Sequence, residues 1–213
     1  CEQPDLEALK RGLPNLERHV QNMRQVFGLP CVVALNDREG DTEPERELIR
    51  QAMRRLEAPV ELCRHWAEGG AGAEDLARRV VELAESGRAS LRLAYRDDET
   101  LWNKMKAVAR QVYGAADISA SPAVRKQIDE LQAEGYGRFP VCVAKTPYSF
   151  TSDATKPGAP SGHVVQIREV RLSAGAEFVV MICGDVMTMP GLPKEPAALR
   201  IDIDAQGRVT GLF

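Results

Sequence analysis

The 213-residue sequence lacks the signatures that would place it in a special class. It has no run of about 18 apolar residues, so no segment is long and apolar enough for a transmembrane helix. It has no secretory apolar region near its start, no internal repeat and no low-complexity tract. None of the five cysteines forms a CxxC, which points to free, buried, reduced thiols rather than a disulfide scaffold. The three histidines are scattered, without the spacing of a zinc site. No GxGxxG, no GxxxxGK[ST] and no serine-elbow motif occurs. A formal charge of -3 argues against a nucleic-acid partner, which wants a basic face.

What is present is ordinary globular sequence, 44% hydrophobic and 28% charged. Residues 1–12 are polar and read as a lead-in. Cys1 stands where a Met would start a chain, so we expect a truncated or processed start. Pro14 suits a first helical position, followed by Leu16, Val20, Met23 and Phe27 at helical spacing. Gly28 and Pro30 stop that helix. The run PCVVAL reads as a strand buried on both faces. A helix over 43–57, a strand near Pro59–Cys63 and a helix over 73–86 follow. The last of these is expected to turn Leu76, Val80, Val81 and Leu83 inward. The pattern is α/β, with parallel βαβ units.

Ser90–Tyr95 reads as a further strand, and 98–113 and 122–134 as helices in a helical middle. Beyond Gly137 the chain is β-richer, of α+β type, with strands at Val141–Ala144, Val164–Leu172, Phe178–Cys183 and Leu199–Ile203. The expected division is a lead-in over 1–12, an α/β domain over 13–115 and a β-richer domain over 116–213.

Ligands of open parallel sheets bind beyond the carboxyl ends of the strands. Two loops qualify: Asn36–Thr42 and His65–Gly72. Trp66 offers an exposed plane on which a flat heteroaromatic ligand can stack, or it simply packs a helix. Asn36 and Asp41 can orient a polar ligand edge, although Asp41-Thr42 with Glu45 is also an ordinary helix start. The Gly69–Gly72 stretch reads better as a tight turn than as an anion cradle. Lys145 follows a strand and can meet a phosphate or carboxylate, or merely be solvated. His65 is a surface residue on this reading. No metal ligands and no catalytic group emerge from the residues alone.

Several stretches, in order, carry a resemblance. They are LPNLERHVQN at 13–22, LPCVVALN at 29–36, HWAEGG at 65–70, GYGRFPVCVAKTPYSF at 135–150, IREVRLSAGAEF at 167–178, MTMPGLP at 187–193 and IDID at 201–204 before a terminal GLF. Over residues 12–213 the chain resembles the C-terminal part of the formate–tetrahydrofolate ligases. The resemblance implies joining of formate to tetrahydrofolate at the expense of ATP, by way of formyl phosphate. It implies magnesium with the ATP, stimulation by potassium-like cations, and a cytoplasmic homo-oligomer. It also implies a partner, the N-terminal portion that carries the family's ATP-binding P-loop.

In the family, a Phe-Pro in the first loop and a later Trp sandwich the pterin. Here Trp66 is kept, Arg38 stands at the Phe position and Glu39 at the Pro position. A guanidinium can stack on an aromatic ring, although its wall differs from a phenyl. The folate-binding set implied is Trp66, Arg38, Glu39, Asn36 and Asp41. The alternative is a stand-alone, non-catalytic relative that binds a folate-type ligand or pairs with a ligase subunit.

Overall fold

The structure is a computed structural model and describes residues 4–186 and 194–211. Its first half is built on two parallel strands, β1 (Val33–Asn36) and β2 (Val60–Cys63), joined through α2 (Glu43–Arg54). This is the expected βαβ unit. Helix α1 (Leu6–Gln21) packs on the same sheet face as α2. Val20 of α1 and Ile49, Ala52 and Met53 of α2 close over Val33, Leu35 and Val60.

Helix α1 starts earlier than expected. Asp5 caps it by accepting from the Glu7 and Ala8 amides at 3.0 and 2.9 Å, so residues from Leu6 onward are helix rather than lead-in. Leu9 and Leu13 bury against the first core and hold that extra turn. Pro14 lies inside the helix rather than at its first position, on the exposed side. A π-helical turn over Asn22–Val26 ends the element.

β1 is shorter than PCVVAL and is not buried on both faces, for Ala34 and Asn36 are exposed. After β2 come a single turn, α3 (His65–Glu68), a 3-10 turn over Gly69–Ala73 and α4 (Glu74–Glu85). Helix α4 covers the other face of the sheet, with Arg79 bonded to Glu61 at 2.9 Å. Val80 and Val81, expected inward, are 49% and 53% exposed. Ser90–Tyr95 is no strand. It is an extended segment held by the Ser90 and Arg92 amides on the Gly28 and Phe27 carbonyls, both at 2.9 Å.

The second half is a four-stranded mixed sheet in the order β3-β5-β6-β4. Its strands are β3 (Asp117–Ala120), β4 (Val141–Ala144), β5 (Val164–Ser173) and β6 (Phe178–Cys183), with α5 (Leu101–Gln111) and α6 (Pro122–Ala133) packed on it. β3 interrupts the expected helical middle. α6 begins as expected, with Ser121 accepting from the Val124 amide.

The second core holds Leu101, Met105, Ala109 and Ala115 beside Val165, Val179 and Met181. Helix α5 therefore packs with the residues after 116, across the division expected there. Of the strand expected over Leu199–Ile203 only the two-residue β7 (Asp202–Ile203) forms, paired with β8 (Val209–Thr210), while Leu199 ends a 3-10 turn over Ala197–Leu199. The MTMPGLP stretch and Cys1 lie outside the described residues. Of the described cysteines, all are free, and Cys142 is exposed rather than buried.

Candidate functional site

In register, Asn36 pairs with Cys63, so the chain leaves both carboxyl ends side by side. The next residue on each strand is Asp37 and Arg64. Asp37 is buried, and its carboxylate accepts from Arg46 Nε at 2.7 Å and Arg64 Nε at 2.9 Å. Burial alone would raise its pKa; the hydrogen bonds and charges of Arg64 and Arg46 outweigh that and hold the carboxyl below the usual range. The Asp37 amide donates to the Cys63 carbonyl at 3.0 Å, and its carbonyl accepts from Trp66 Nε1 at 3.2 Å. One residue thus ties the first loop, α2, Arg64 and the indole together.

Trp66 is 65% exposed, and its ring is not consumed by packing. A cavity of about 520 Å³ is lined by Asn36, Arg38, Glu39, His65 and Trp66. A second, of about 360 Å³, shares Arg38, Glu39 and Trp66 and adds Asp41. The two loops face each other, and five sequence-predicted residues meet there. Asp41 also acts locally, for its carboxylate accepts the Arg38 amide at 2.9 Å and closes the turn. Glu45 caps α2, accepting from the Thr42 hydroxyl at 2.7 Å.

Gly72 makes the tight turn. A Cβ there would lie 2.5 Å from the Arg64 carbonyl carbon, and its own carbonyl accepts the Arg64 amide at 2.9 Å. The glycine stretch thus presses α3, and with it Trp66, against the end of β2.

Lys145 lies elsewhere. Its ammonium donates to the Thr146 carbonyl at 3.0 Å and to the Ser149 carbonyl, and sits 4.9 Å from the centre of the Tyr113 ring. Desolvation lowers its pKa. It lines neither cavity, and one proton remains for an anion.

A larger open groove, about 1140 Å³, lies beside α5. Its charges are partly self-satisfied, as in Arg96–Asp98 and Lys106–Asp117. Among the described residues no group of three His, Cys, Asp or Glu side chains is placed to hold a metal ion.

Sequence reasoning missed Asp37, Arg46 and Arg64; His65 is exposed, as expected, and lines the larger of the two cavities. The signal was faint: an Asp and an Arg, each one residue past a strand end. It becomes legible only with the register of the strands.

The family model for formate–tetrahydrofolate ligase matches residues 1–213. The chain belongs to the formate–tetrahydrofolate ligase family. It is 54% identical over 212 residues to the formate–tetrahydrofolate ligase of Methylibium petroleiphilum, covering 98% of this chain and 38% of that protein. Against the ligase of Beijerinckia indica the identity is 56% over 211 residues, with the same coverage of each. Against that of Granulibacter bethesdensis it is 53% over 209 residues, 98% of this chain and 36% of the relative. The chain therefore spans little more than a third of the length of these family members.

Proposed function

We propose that the chain is the C-terminal, folate-holding portion of an ATP-dependent formate–tetrahydrofolate ligase. The observation that carries this is Trp66: an exposed indole, anchored by its N–H, facing a loop cavity at the strand ends of a family member. In this reading the pteridine lies on the Trp66 face, with the Arg38 guanidinium as the opposite wall. Asn36 and Glu39 offer an amide and a carboxylate to the polar edge of the ring, and Asp41 keeps the loop in place.

The residues here bind and orient. They hold the folate so that its N10 amine meets formyl phosphate, and the crevice sheds water from that labile acyl group. Attack by N10 on the formyl carbon releases phosphate. ATP, its magnesium and a monovalent cation belong to the remaining portion of the enzyme, the partner this chain requires. Its setting is a cytoplasmic homo-oligomer. The isolated chain should form no 10-formyltetrahydrofolate from formate, ATP and tetrahydrofolate, and measured turnover would refute that assignment.

The deciding test is a tetrahydrofolate titration followed by tryptophan fluorescence. Saturable quenching by the native chain, lost in Trp66→Ala, supports the reading. Quenching of equal size and midpoint in the variant sinks it. The Arg38 departure favours a second reading, a stand-alone folate-type binding module. That reading requires tight binding with no complementing portion.

A further inference from the structure

The segment that carries Trp66 has no apolar anchor. Every residue from Arg64 to Ala71 is exposed, and neither α3 nor the 3-10 turn after it buries a side chain. A helix of four residues cannot hold its place by its own hydrogen bonds. Helix α2 is the contrast, for Ile49, Ala52 and Met53 fix it in the first core. What ties α3 to the molecule is polar and converges on Arg64. At the base of the segment, the Arg64 amide donates to the Gly72 carbonyl at 2.9 Å. The Arg64 carbonyl accepts the Ala67 and Glu68 amides at 3.0 and 2.9 Å, which forms the turn.

Among the described residues, two side-chain hydrogen bonds reach from this segment to the first loop, and both end on Asp37. One is the indole N–H on the Asp37 carbonyl at 3.2 Å. The other is Arg64 Nε on the Asp37 carboxylate at 2.9 Å. A single bond to a ring that is 65% exposed leaves it free to pivot about the line of that bond. A second, charge-assisted bond from two residues upstream removes that freedom. Arg46 binds the same carboxylate, but from α2, so it holds Asp37 and not the segment.

We propose that Arg64 is a positioning residue for ligand binding: by clasping Asp37 it holds α3 so that the Trp66 face meets the cavity in one orientation. The proposal deepens the folate reading and rests on it. Arg64 acts through the indole and need not touch the ligand. Without the clasp, the ring is ordered only when the ligand arrives, and binding bears the cost of one more immobilised side chain.

The test is nitrogen-15 relaxation of the Trp66 indole N–H in the chain without ligand, beside isothermal titration with tetrahydrofolate. The chain has two tryptophans, and Trp66→Phe assigns the two indole signals. In the native chain the Trp66 indole should be as ordered as the β2 amides. Arg64→Ala should loosen it on the picosecond-to-nanosecond scale and raise the Kd for tetrahydrofolate roughly 2- to 10-fold. The melting temperature should fall by no more than about 4 °C, since Arg46 still neutralises Asp37. Arg46→Ala should lower the melting temperature at least as far, yet leave the indole order and the Kd as in the native chain.

An indole as rigid in Arg64→Ala as in the native chain overturns the proposal. Loosening with an unchanged Kd overturns it too. So does equal loosening in the two variants, which would make the ion cluster structural only. If Arg64→Ala does not fold, Arg64→Met keeps the stem, removes the donors and is read by the same outcomes. If the native chain binds no tetrahydrofolate, the folate reading fails, and the indole relaxation still decides whether Arg64 holds the ring.

Discussion

The Trp66 indole N–H donates to the main-chain carbonyl of Asp37 at 3.2 Å, from the loop after β2 to the loop after β1. The carboxylate of the same Asp37 is held by Arg46 and Arg64. The orientation of an exposed aromatic thus depends on a buried ion cluster beneath it. That cluster joins α2 to the residue preceding α3.

Asp37→Asn should therefore lower stability by about 2 kcal/mol at neutral pH, the scale of a hydrogen bond to a charged group. The folded-state pKa of Asp37 is depressed, so its contribution is fully present above the ordinary carboxylate range near 4 and is lost as pH falls through the lower folded value. Urea unfolding of both proteins should show a constant gap from pH 7 to about 5 that closes in acid. A gap that instead closes on going up in pH would contradict the ion cluster.

Trp66→Ala should weaken tetrahydrofolate binding by about 1–3 kcal/mol, the range for stacking of bases on aromatic side chains. The melting temperature should hardly move, because most of the indole is already in water. Isothermal titration with both proteins reads the two quantities apart.

Arg38 lines both cavities and no other side chain is bonded to its guanidinium among the described residues. Arg38→Phe should tighten tetrahydrofolate binding if the position serves as a stacking wall. Weaker binding, measured by the same titration, would mean that the guanidinium meets an anionic part of the ligand instead.

Lys104 is fully buried in the second core and donates to the Gly137 and Phe139 carbonyls at 2.8 and 3.0 Å. Lys104→Met keeps the bulk and strands both acceptors, so it should cost about 2 kcal/mol or more. Calorimetry should show a melting temperature lower by about 4 °C or more. An unchanged value would mean water replaces the ammonium.

Much of this protein was legible locally. Apolar spacing marked α2, α4, α5 and α6, and Ser121-Pro122 marked where one of them starts. The β-branched runs marked β4, β5 and β6, loops beyond strand ends marked Asn36, Asp41 and Trp66 as neighbours, and the family resemblance added Arg38 and Glu39. These signals work because helix and strand periods are properties of the backbone, carried by adjacent residues.

Tertiary structure decided the rest. The register of β1 on β2 brought Asp37 against Arg64, which no short window contains. The core chose Leu76 and Leu83 over Val80 and Val81 as the inward side of α4, since periodicity tells which residues are apolar but not what covers them. Lys145 was drawn onto loop carbonyls and the Tyr113 ring because its strand end faces the interior between the halves. Ser90–Tyr95 has the composition of a strand, but its amides pair with only Phe27 and Gly28. A strand exists only where a partner edge continues beside it.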